Sequence, residues 1–177
     1  MKKLLAIFLS VVMLLAFAAP ALADTVATRD LIIDGGPSDG ARTDVGGIVV
    51  DYTVPDITVT YTIDDPNWEI LETHVYIGIE APNKAAPGKF DYEAGEAVAV
   101  TADTVYYIAA HACLGQIDPG TGLPVVYPGT DIQVTETAWA QNETFLSGDD
   151  VLIRNKALDR HGSSWATYFT VTSTVTP

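Results

Sequence analysis

Residues 57–63 read ITVTYTI, in which Ile57, Val59, Tyr61 and Ile63 alternate with three threonines. A period of two places the apolar set on one face of an extended chain and the threonines on the other, the pattern of a half-buried β-strand. The preceding GGIVVDYT (46–53) is β-branched and aromatic, and Pro55 and Asp56 between the two runs supply a turn. Together they predict a hairpin.

The same grammar continues along the chain. In ILETHVYIGI (70–79), Val75, Ile77 and Ile79 share one face, and Glu72, His74 and Tyr76 share the other. TVYYIAAHACL (104–114) is apolar on both faces, as expected of a central strand. AVAVT (97–101), DIQVTETAW (131–139) and WATYFTVTSTV (165–175) add further strands. Loops rich in proline and glycine separate them, chiefly 80–96 and an irregular excursion at 115–130. One stretch, SGDDVLIRNKALDRHG (147–162), predicts a turn or two of helix, capped by Asp149 or Asp150 and stopped by Gly162. The count is about 8–9 short strands with almost no helix, which predicts an all-β fold, an antiparallel immunoglobulin-like β-sandwich.

The first residues have a different character. Lys2 and Lys3 precede an apolar run from Leu4 to Ala18, and Ala21-Leu22-Ala23 has the small-x-small form of a signal-peptidase site. Residues 1–23 are expected to be a cleaved signal peptide, 24–44 an N-terminal arm or edge strand, and 45–177 the β-sandwich domain. The expected address is export, to the extracellular medium or the cell surface, with no integral membrane span after cleavage. The net charge is −14 and becomes two units more negative when Lys2 and Lys3 leave. That surface argues against nucleic acid or an anionic membrane as partner. A single cysteine, Cys113, excludes an intramolecular disulfide.

An ordered set of short stretches supports a comparison: Trp68 to Gly78 with its ETHVYIG, YYIAAHA from Tyr106 to Ala112, ETAW from Glu136 to Trp139, and WATYF from Trp165 to Phe169. With DVGGIVV at Asp44, the set resembles a group of uncharacterised secreted bacterial and archaeal β-sandwich domains. The resemblance implies fold and export and carries no activity. The chain departs from the pattern in the long connection between ETAW and WATYF.

Chemistry-bearing residues form three groups. His111 and Cys113 lie two apart on one strand, too far for a direct hydrogen bond and without a feature to depress the thiol pKa, so Cys113 reads as core filler. His74 is the better partner for His111: neighbouring strands would put Glu72, His74, Tyr107 and His111 on one face, a candidate zinc or copper site at Glu72, His74 and His111 or the seat of a hydrolase. Asp34, Asp39 and Asp44 in a glycine-rich loop are a candidate Ca²⁺ site, although their spacing matches no EF-hand. Trp68, Trp139 and Trp165 could stack on a sugar ring if exposed and aligned. Asn142 heads a glycosylation sequon.

No phosphate loop, serine elbow or zincin helix is present. The leading expectation is a non-catalytic exported module, with no assigned catalytic residue or cofactor (Ca or Zn being the candidates) and an extracellular protein or glycan as partner. The alternatives are the metal or hydrolase site, a carbohydrate-binding module, and a filament subunit that self-assembles by lending VATRDLII (26–33) to a neighbour's sheet.

Overall fold

The computed structural model describes residues 26–33, 42–142, 148–153 and 166–175. Ten strands run in the order β1 (Val26–Ile33), β2 (Thr43–Asp51), β3 (Asp56–Ile63), β4 (Trp68–Gly78), β5 (Val98–Ala99), β6 (Val105–Asp118), β7 (Leu123–Pro124), β8 (Thr135–Gln141), β9 (Val151–Leu152) and β10 (Thr167–Thr172). A single 3-10 turn, Pro87–Lys89, lies between β4 and β5. The strands pair antiparallel in the order β5-β3-β2-β1-β8-β6-β10-β9, with β4 and β7 also on β6.

This sheet doubles over on itself. Ile48, Val50, Ile57 and Val59 from β2 and β3 pack on Val75, Ile77, Ile108, Ala110, Ala140, Phe169 and Val171 from β4, β6, β8 and β10. The result is a sandwich whose two layers are joined along the β1–β8 ladder, where Asp30 to Ile33 pair with Gln141 to Ala138. The alternation in ITVTYTI is the cause at β3: Ile57 and Val59 are fully buried, and Thr60 and Thr62 are exposed.

β6 is the longest strand and the hub. One edge pairs with β4 from Tyr107 to Gln116. The other is shared, with β10 on Val105 to Ile108 and β8 on His111 to Gly115. Its alternate residues Ile108, Ala110, Ala112 and Leu114 face the core, and Ala109 and His111 face the opposite side. The small alanines allow both faces to be covered closely, which is why this segment reads apolar throughout.

Several expectations need correction. The segment 24–44 is not an edge strand or loose arm where it is described: β1 is paired on both sides, Leu31 to Ile33 are buried, and β2 begins at Thr43 rather than 45. The strand offered for exchange, VATRDLII, is therefore built into its own domain. The excursion at 115–130 begins later than expected, because β6 continues to Asp118 and then hairpins onto β7. AVAVT contributes only Val98–Ala99. The expected helix fails at its start, where Val151–Leu152 pairs with β10; residues 154–162 lie outside the described residues. Asp149 and Asp150 do not cap a helix there; both form ion pairs with Arg29 of β1, whose guanidinium also stacks 4.2 Å above the Phe169 ring.

A strand glycine with a defined task is Gly46 of β2. At φ +155°, a Cβ there would lie 2.1 Å from the Thr62 carbonyl oxygen, so the bulge beside it in the β1–β2 ladder depends on glycine.

If β6 carries the core, Ile108→Ala should lower the unfolding free energy by about 3 kcal/mol. Leu123→Ala, on the exposed β7 hairpin, should change it by less than about 0.5 kcal/mol. Urea unfolding of both variants checks this, and equal effects would contradict it.

Candidate functional site

The non-core face of β4, β6 and β8 collects the chemistry-bearing residues. Period-two geometry sends Glu72, His74 and Tyr76 to this face of β4, and Ala109, His111 and Cys113 to this face of β6. The ladder register then sets neighbours: His74 is directly opposite His111, Glu72 is opposite Cys113, and His111 has Trp139 on its other side. The expectation that the two histidines share a face on adjacent strands holds.

His111 is the centre of this row. Its ring lies 5.7 Å from that of His74 and 4.9 Å, edge to face, from Trp139. Trp139 in turn meets Phe90, which meets Tyr76, so the loop after β4 lays an aromatic cover over the sheet. His111 is only 6% exposed, and its Nδ1 has no hydrogen-bond partner among the described residues. Burial, and then the nearby charge of His74, pushes its pKa down from 6.5 to about 4. At neutral pH it is an uncharged imidazole packed as an aromatic.

The neighbours are quiet as well. His74 Nε2 lies 3.3 Å from Glu72 Oε1, and that carboxylate is largely solvated. The Cys113 thiol has its pKa raised by burial and by the Glu72 carboxylate, so it is a poor nucleophile. Behind the row, on the core side, the Tyr61 hydroxyl lies 3.3 Å from the His111 carbonyl oxygen and 3.4 Å from that of His74. It can donate to either one, and burial raises its pKa. This tie between β3 and the β4–β6 pair was not foreseen, although Tyr61 belongs to the alternating core set of ITVTYTI.

The metal candidates are thus brought together as a row and do not form a cage. Among the described residues, no group of three or more His, Cys, Asp or Glu side chains is placed to hold a metal ion. Glu72 turns to His74, and Trp139 occupies the far flank of His111.

The other candidate groups fare differently. Asp44 lies in β2, and its Oδ1 accepts a hydrogen bond from the Gly46 N–H at 3.0 Å; Asp34 and Asp39 lie outside the described residues. The tryptophan platform is corrected. Trp139 is buried on the outer face under Phe90, whereas Trp68 packs on the core-side cluster of Leu31, Val45 and Leu114. Opposite faces of one sheet cannot present a common stacking plane, and Trp165 lies outside the described residues.

A feature that the sequence reading missed is an open depression of about 500 Å³ between β3 and β4, lined by Thr60, Tyr61, Leu71, Glu72, Thr73 and Glu93 among others. Leu71, the residue that β4 bulges out, is 47% exposed at its rim. Comparison with protein-family models found no match, and searches of curated proteins and of solved structures found none either.

The depressed pKa of His111 makes a signed prediction. An unfolded imidazole takes up its proton near pH 6.5, and the buried one holds out until about 4. Stability is therefore full above 6.5 and falls as pH drops between those values. This group alone should make the protein about 2 kcal/mol less stable at pH 4.5 than at pH 7. His111→Gln should remove that increment from the pH dependence of urea unfolding; an unchanged slope would contradict neutral burial.

Proposed function

We propose that the chain is an exported, non-catalytic β-sandwich module that acts by binding or in a structural role, outside the cell or at its surface. The observation that carries the non-catalytic reading is the state of the row on the outer face. Burial keeps His111 neutral and Cys113 a thiol, and packing against Trp139 closes the central imidazole to a substrate. Export rests on the leader pattern of residues 1–23. Among the described residues no helix is long and apolar enough to cross a membrane. The similarity to secreted β-sandwich domains in ETHVYIG, YYIAAHA and ETAW supports the same reading.

The adjacency of His74 and His111 favours a second reading, in which a zinc or copper ion recruits both imidazoles with Glu72. Native mass measurement after incubation with zinc separates the two. The module reading expects no zinc retained through buffer exchange; one equivalent, lost on His74→Ala, would favour the metal.

Two measurements test the leading reading. Expressed with its leader in a bacterial host, the protein should be recovered outside the cytoplasm with Asp24 as its first residue. A cytoplasmic chain that keeps residues 1–23 would contradict export. The rate of Cys113 alkylation by iodoacetamide should be slow at pH 7 and still rising above pH 9; a rate already at its plateau near pH 6 would reveal an activated thiolate and overturn the non-catalytic assignment.

A further inference from the structure

The two layers of the sandwich are joined along β1–β8 and come apart at the opposite side, where β3 passes to β4 through residues 64–67. There each layer ends in a strand edge. Hydrogen-bond parity fixes which main-chain groups face outward. On β4, Val75 exchanges two hydrogen bonds with Tyr92, at 2.7 and 3.2 Å, on the side away from β6. Gly95 then donates to the Val59 carbonyl on β3 at 2.8 Å. The segment 92–95 therefore crosses from one edge to the other and closes half of the open side.

The other half stays open. On β3, the odd-numbered residues face away from β2: Ile57 pairs with β5 and Val59 accepts from Gly95. The next two, Tyr61 and Ile63, have no main-chain partner on that edge among the described residues. Tyr61 lines the depression of about 500 Å³ whose walls are β3, β4 and the underside of the 92–95 crossing, and Ile63 follows it along the same edge. A sheet edge with two consecutive outward N–H and C=O pairs beside a ready space is what an added strand needs.

The surroundings say what kind of strand fits. Glu72 and Glu93 are exposed on the rim, and none of the residues lining the depression is Lys or Arg. Leu71, in the same lining, offers an exposed apolar contact. The net charge of −14 disfavours a second copy of the chain as occupant. We propose that this open β3 edge is the docking site for an extended segment of a partner protein, which adds a strand at Tyr61 and Ile63 and places lysine or arginine side chains against Glu72 and Glu93. The proposal rests on the reading of the chain as a binding module, and names the chemistry of its partner.

The test uses the leaderless protein and three eight-residue probe peptides. One alternates lysine and valine, a second replaces the lysines by glutamate, and a third carries proline at two valine positions so that the strand loses its donors. Calorimetry and amide chemical shifts should show saturable binding of the lysine–valine peptide, with the largest shifts at Tyr61, Ile63 and Thr73. The glutamate peptide should bind at least about ten-fold more weakly. The double variant Glu72→Gln/Glu93→Gln, whose side chains are exposed, should keep its melting temperature and lose a similar factor. Equal binding of the proline peptide would reduce the effect to charge attraction and overturn strand addition. Absence of binding, shifts confined to another surface, or sedimentation showing that the free protein covers this edge with its own copy would overturn the site. Those outcomes leave the module reading standing, whereas turnover of a substrate at the His74–His111 row would overturn that reading whatever the peptides do.

Discussion

Everything in this fold hangs on the two-sided pairing of β6. A strand of fourteen residues holds β4 along one edge and divides the other between β10 and β8. Such a strand must be apolar on both faces and narrow enough to be covered on both. Ala109, Ala110 and Ala112 meet that demand, with Ile108 and Leu114 supplying bulk toward the core. Loss of pairing here would release β4, β7, β8 and β10, so local opening at β6 is close to global unfolding.

The same constraint explains the chemistry of the outer face. Once β6 is central, anything it projects away from the core is flanked by two neighbours, and His111 receives His74 and Trp139. The aromatic cover from Phe90 then takes Trp139 out of water. An imidazole placed so is cheapest as a neutral ring, which turns a residue that looks reactive in isolation into a pH-dependent packing element. Cys113, one pair further along, is held as a thiol by the same surroundings.

How much of this was legible depended on whether a signal was local. ITVTYTI announced β3 because Thr60 and Thr62 are solvated and Ile57 and Val59 buried, a one-strand property. The shared face of His74 and His111 followed from parity, which register shifts of two residues cannot change. β1 was misjudged because Arg29 and Asp30 interrupt its apolar pattern; Arg29 is satisfied by Asp149 and Asp150, 120 and 121 positions away, and no local rule sees that pairing. The same distant pairing drew Asp149 and Asp150 away from the helix cap they resemble. The tryptophans failed as a platform because their strands place Trp68 and Trp139 on opposite faces, a matter of tertiary packing rather than spacing.

What remains exposed is the side of the sandwich that the chain closes only halfway, from Tyr92 to Gly95. Residue-resolved amide hydrogen exchange tests the whole account most directly. The amides of Ile108 to Leu114 that bond within the sheet should be the last to exchange, and along β3 protection should alternate, with Thr60 and Thr62 slow and Tyr61 and Ile63 fast. Uniform protection along β3, or early exchange of β6, would contradict it.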